Sequence, residues 1–136
     1  MVRMARIPTA QQVHRDGFGY RDDDGNWKVL IHYTVRPLPA PGVARRMAET
    51  FRHTPQFWLD AENRELVQAI DTNEAGSALR NLPGGVETNA DRVIQVEVLG
   101  DEATLHGWGE GELEFVANAF AAPVAYPRLQ IGRAHV

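Results

Sequence analysis

The chain has 136 residues, a hydrophobic fraction of 43%, a charged fraction of 24% and a formal net charge of −4. That is long enough for one domain with a real core, and the composition is ordinary for a globular protein. The acidic balance leaves no basic footprint for nucleic acid, and no apolar stretch approaches the length of a membrane span. Without cysteine there are no disulfides, thiolate ligands or thiol nucleophile, so any metal site must use His, Asp or Glu. The start carries Arg3 and Arg6 but no apolar h-region, so no secretory signal is visible.

In chain order, residues 1–20 are weakly patterned and read as an N-terminal approach segment. Asp22, Asp23, Asp24, Gly25 and Asn26 make a turn signal. A calcium loop is excluded there, because Tyr20 and Ile31 occupy the first and closing ligand positions. Residues 27–35 form an apolar run broken by Lys28 and His32, which suits a strand covered on both faces. Pro37, Pro39 and Pro41 form a stiff linker. The spacing of Val43, Met47 and Phe51 predicts a helix over 43–52. Residues 57–60 and 66–71 read as strands joined by a polar turn at 61–64. A short helical turn is expected over 74–80, then a loop over 82–89.

Residues 92–99 read as a strand stopped by Gly100, followed by a loop over 101–108. The stripe of Leu113, Val116, Ala117 and Phe120 predicts an amphipathic helix over 110–122, ended by Pro123. Strands mixed with helices place the chain in the α/β class, a mixed central sheet flanked by helices.

Glu97 is the residue of most consequence. It interrupts the apolar run from Val93 to Leu99. A carboxylate there costs several kcal/mol unless it is paired, hydrogen-bonded or facing a polar cleft. Glu is also depleted in strands, so Glu97 is a site candidate. The competing reading puts it on the wet face of an edge strand. His32 lies near the end of its own apolar strand, where sites gather in sheet proteins, and neutral imidazole is a common zinc ligand. The competing reading there is a core histidine bonded to backbone. His14, His53 and His106 show no short helical zinc spacing. Ser77 lacks the nucleophile elbow, and the glycines at 107, 109 and 111 are not followed by the Lys-Ser/Thr of a phosphate loop.

Ile31-His32-Tyr33-Thr34 resembles the first strand of zinc-dependent N-acetylmuramoyl-L-alanine amidases, whose fold is shared with peptidoglycan recognition proteins. The order of the block over 57–100 is similar too, closing on Asn89 and then Ile94-Gln95-Val96-Glu97-Val98. The resemblance spans roughly residues 27–125. It implies that His32 is a zinc ligand and that Glu97 activates or orients the attacking water. It implies a peptidoglycan substrate, with hydrolysis of the amide between N-acetylmuramic acid and L-alanine. Trp58, Asn73 and Asn89 are the candidate substrate-binding residues.

The chain departs from the family's pattern at Gln56 and over 75–78, where histidines are common, and it contains no Asp-Pro-Gly. Ile131-Gly132-Arg133-Ala134-His135-Val136 is also what ATC GGA AGA GCA CAC GTC encodes, the start of a common sequencing adapter. The sequence therefore reads as an approach segment (1–20), a partial amidase-like domain (21–130) and an adapter-derived tail (131–136). The remaining zinc ligands are expected in a missing C-terminal segment, with this piece inactive by itself. Without a visible signal peptide, a released phage lysin and a cytoplasmic recycling enzyme fit equally. The alternatives are a non-catalytic peptidoglycan-binding module of the same fold and an unrelated α/β domain.

Overall fold

The structure, a computed structural model, describes residues 6–18, 27–84, 93–121 and 129–133. The elements are β1 (Gln11–Gln12), β2 (Trp27–Tyr33), α1 (Val43–Thr50), β3 (Phe57–Asp60), β4 (Glu65–Gln68), β5 (Val93–Val98), α2 (Glu102–His106), α3 (Glu110–Ala121) and β6 (Leu129–Arg133). One six-stranded sheet has the order β1-β4-β3-β5-β2-β6. The β3–β4 pair is antiparallel; every other pair is parallel. This is the mixed α/β sheet that the sequence predicts. The turn signal at residues 22–26 and Asn89 lie outside the described residues. Ile131, Gly132 and Arg133, set apart by the adapter-like reading, lie on β6 against β2.

Strand side chains alternate between faces, and the two faces pack differently. Phe57, Leu59, Leu66, Ile94, Val96 and Val98 face one side and bury against Ile7, Ala10 and α3 residues Val116, Ala119 and Phe120. Phe57 and Phe120 meet edge-on, with centroids 5.6 Å apart. On the other side, Trp58 and Val67 pack against Val43, Ala44 and Ala48 of α1. Further along that side, Leu30 and Val93 pack against Leu79.

The approach segment is built into the sheet. Backbone bonds from Val13 to Gln68 and from Arg15 to Ala69, both 2.9 Å, continue the β1–β4 ladder. The Arg6 guanidinium binds the Asp71 carboxylate and donates to the carbonyls of Val13, Gln68 and Ala69. Weak patterning hid this, because an edge segment held by backbone and polar bonds needs little hydrophobic periodicity.

Two local expectations fail. Residues 74–80 form no helical turn. Their polar groups bond instead to the sheet: Gln56 Nε2 donates to the Glu74 carbonyl at 2.9 Å, and the Ala78 N–H donates to Gln95 Oε1 at 3.1 Å. The segment expected as a loop over 101–108 contains α2. Its start is a capping box, with Asp101 accepting from the Thr104 N–H and Thr104 accepting from the Asp101 N–H. Gly100 precedes it at φ +126°, and a Cβ there would meet Thr104 at 2.6 Å.

Gly100→Ala should therefore cost more than strain alone, about 2–3 kcal/mol in urea unfolding. Gly42→Ala is the control: φ is +80° with nothing near an added Cβ, so about 1 kcal/mol is expected. Equal costs would refute the Thr104 clash. The backbone and side-chain bonds from Thr104 hold the Asp101 carboxyl below its ordinary range. A depressed carboxyl stabilises above its unfolded value of about 3.9 and loses that contribution as pH falls through the folded value. The protection of the Thr104 amide relative to its intrinsic exchange rate should thus fall in acid, and Asp101→Asn should remove that acid dependence.

Candidate functional site

Register builds the site. In the parallel β2–β5 pair His32 stands beside Glu97, and in the β3–β5 pair Trp58 stands beside Glu97. Three side chains on three adjacent strands therefore share one face. His32 and Glu97 are each the second-last residue of a parallel strand, the carboxyl end at which open α/β sheets place their sites. β5 is an interior strand, which removes the edge-strand reading of Glu97.

His32 Nδ1 lies 2.7 Å from Glu97 Oε2, with the side chains only 6% and 12% exposed. An ionised carboxylate can only accept, so Nδ1 carries the proton. In the neutral ring the lone pair then sits on Nε2. That nitrogen is buried and has no hydrogen-bond partner among the described residues. The carboxylate thus fixes the tautomer and leaves one basic nitrogen uncommitted, the arrangement by which carboxylates orient metal-binding or proton-accepting histidines.

A cleft of about 200 Å³ opens over the pair, lined by Tyr33, Thr34, Arg36, Met47, Phe51, Trp58, Ala78 and Leu79 besides His32 and Glu97. Trp58 is a fixed wall, 1% exposed. Its Nε1 donates to Thr54 Oγ1 at 3.1 Å, and Phe51 meets it edge-on at 5.4 Å. Phe51 caps α1 in extended conformation and is 43% exposed, so it bridges wall and solvent.

The mouth is set by the turn after β2. Val35 has φ +63°, a genuine outlier for a β-branched residue, at a cost of about 1–3 kcal/mol. Hydrogen bonds hold it there. The N–H groups of Thr34 and Val35 donate to the carbonyls of Val98 and Gly100 at 2.9 and 2.8 Å. Thr34 Oγ1 accepts from the Gly100 N–H at 3.0 Å and donates to the Pro37 carbonyl at 3.1 Å.

Of the residues singled out in the sequence, the structure brings His32, Glu97 and Trp58 together. Asn73 is not among the cleft residues; its Oδ1 is buried without a partner. Asn89 lies outside the described residues. Thr34, Arg36, Met47 and Phe51 were missed as site residues. Thr34 was available from alternation, two residues after His32 on the same face. Arg36 was not, because it follows a turn whose geometry only the Gly100 contacts reveal.

Zinc is tested by the donors present. His32 Nε2 suits one ligand. A catalytic zinc takes three protein ligands, and among the described residues no group of three His, Asp or Glu lies together. The described residues do not complete the centre.

No family model and no curated protein sequence matches the chain. Among solved structures, the endolysin N-acetylmuramoyl-L-alanine amidase LysCS from Clostridium intestinale is similar at 13% identity. The match covers 93% of this chain and 82% of that one, at a TM-score of 0.44. A likeness of that size assigns neither family nor activity.

Trp58→Ala should cost about 3–5 kcal/mol, the range for an emptied aromatic core position. Nitrogen-15 NMR should show His32 as the Nδ1–H tautomer, and Glu97→Leu should mix the tautomers. An Nε2–H ring in the unaltered protein would refute the assignment.

Proposed function

We propose that the chain is an amide hydrolase of the peptidoglycan type, cleaving the bond between N-acetylmuramic acid and L-alanine. The observation that supports this most is the buried His32–Glu97 contact at 2.7 Å, formed by the two residues that the amidase resemblance singles out.

Amide hydrolysis needs a water deprotonated as it attacks and a place for the resulting proton. Glu97, held at one oxygen by His32, would take that proton and return it to the amide nitrogen as the C–N bond breaks and the amine leaves. His32 keeps Glu97 oriented and offers Nε2 to the cleft. Trp58 and Phe51 supply an apolar wall against which an acyl group and a methyl side chain can lie. Zinc belongs to this proposal as the expected partner of Nε2, polarising the carbonyl when bound. Its other ligands would come from outside the described residues.

A non-catalytic peptidoglycan-binding module is the second reading. It is favoured by the lack of a three-ligand group among the described residues. Such a module would hold muropeptides in chelator and release no stem peptide.

The test is peptide release from N-acetylmuramoyl-peptides, with and without added zinc. Glu97→Gln should lower kcat about 10²–10⁴-fold, and His32→Ala should abolish turnover. Undiminished release by both variants would sink the hydrolase assignment. Binding without release in every condition would move the second reading to first place.

A further inference from the structure

We propose that Arg36 is a carboxylate receptor at the mouth of the cleft. It would take the negative charge of an acyl-peptide whose amide lies against His32 and Glu97. The peptide's identity rests on the hydrolase reading above; the receptor role rests on three observations of its own.

Arg36 lines the same cleft as the buried pair. No hydrogen bond or ion pair of its guanidinium is found among the described residues. Its charge adds only a weak pull on the Asp101 carboxyl. Asp101 is itself committed to Thr104, accepting from both its N–H and its hydroxyl at 2.9 Å. Among the described residues the guanidinium is thus an uncommitted fork, shaped for bidentate carboxylate binding.

Its backbone is also fixed in advance. Val35 is held at φ +63° by the bonds that tie residues 34 and 35 to Val98 and Gly100. Strain of this kind, held by surrounding bonds, is a mark of functional turns. It presents the next residue, Arg36, at the rim without a loop having to order on binding.

The charge count selects the ligand class. Arg36 is the single Lys or Arg among the described lining residues, and Glu97 is the single carboxylate among them. One guanidinium in a cleft that already holds a carboxylate suits a monoanion rather than a phosphate dianion. The aromatic rings of Tyr33, Phe51 and Trp58 suit the apolar remainder of a short peptide.

The probes are N-acetyl-L-alanyl-glycine, a monoanion, and its uncharged C-terminal amide, titrated into the chain and followed by NMR. The acid should bind about tenfold or more tightly than the amide, the difference one charge-assisted fork contributes. Arg36→Gln should remove that preference, and Arg36→Lys should keep part of it. Equal binding of acid and amide, an unaffected Arg36→Gln variant, or no binding of either peptide overturns the proposal. The acid–amide comparison on the unaltered chain does not depend on any variant folding. Arg36-dependent acid binding without peptide release from muropeptides leaves the receptor standing and overturns the hydrolase reading. Peptide release indifferent to Arg36 and to the carboxylate does the reverse.

Discussion

The parallel pairing of β2 with β5 sets His32 beside Glu97, and most of what the molecule can do depends on that register. Side-chain direction has a period of two residues, so a one-residue slip would turn Glu97 to the opposite face. There it would enter a layer built of Phe57, Leu59, Val96 and α3 side chains, with no imidazole beside it. The register is held by packing that has no chemistry of its own: Ile94, Val96 and Val98 on one face, Leu30 and Val93 on the other. The core therefore fixes the site. The contact in turn offsets part of the penalty of a nearly buried carboxylate, because one Glu97 oxygen lies 2.7 Å from the His32 imidazole nitrogen.

Glutamines do in this fold what a more apolar core could not. Gln56 and Gln95 are fully buried, and their amides bond the strands to the segment over 74–78. Gly76 lies so near that an added Cβ would meet Gln95 Oε1 at 2.6 Å. The segment is thus pressed onto the same sheet face as His32 and supplies Ala78 and Leu79 to the cleft wall. At Gln56 and over 75–78 the amidase resemblance would lead one to look for histidines. Here the same places carry neutral amides and small residues, which build a wall and add no ligand.

The parts legible in the sequence are those governed by hydrophobic period. The strands over 57–60 and 93–98 stood out as apolar runs and the helices from residues 43 and 110 from apolar spacing, although of the stripe expected on the second helix Val116 and Phe120 pack on the sheet while Leu113 and Ala117 are exposed. Glu97 and His32 stood out because each broke an apolar run. What escaped was governed by hydrogen bonds. The helical turn expected over 74–80 gave way to Gln56 and Gln95, because side-chain amides from strands far off in sequence captured its backbone groups. α2 was missed although Asp101 and Thr104 are spaced for a cap, since a five-residue helix has too little apolar period to be seen. The edge pairing of residues 11–12 was hidden for the same reason. Asn73, chosen for its polar side chain in a loop, was a guess about direction, and direction is what composition does not encode.

The cleft divides into a fixed floor and an adjustable mouth. Trp58 is pinned by Thr54, and Glu97 by His32; both stand on interior strands, where a change would disturb packing on both faces. Tyr33, Arg36 and Phe51 stand at the ends of β2 and α1 with exposed side chains, and their replacement leaves the two cores intact. The turn carrying Arg36 is tied through Gly100 to the corner that starts α2, so its backbone is rigid while its side chain is free. Chemistry that needs constant geometry sits where the fold tolerates least change. Under the proposed function, recognition would sit at these exposed ends, where substitution leaves the packed layers intact. A sheet whose strand ends project just past its packed layers produces that division without further design.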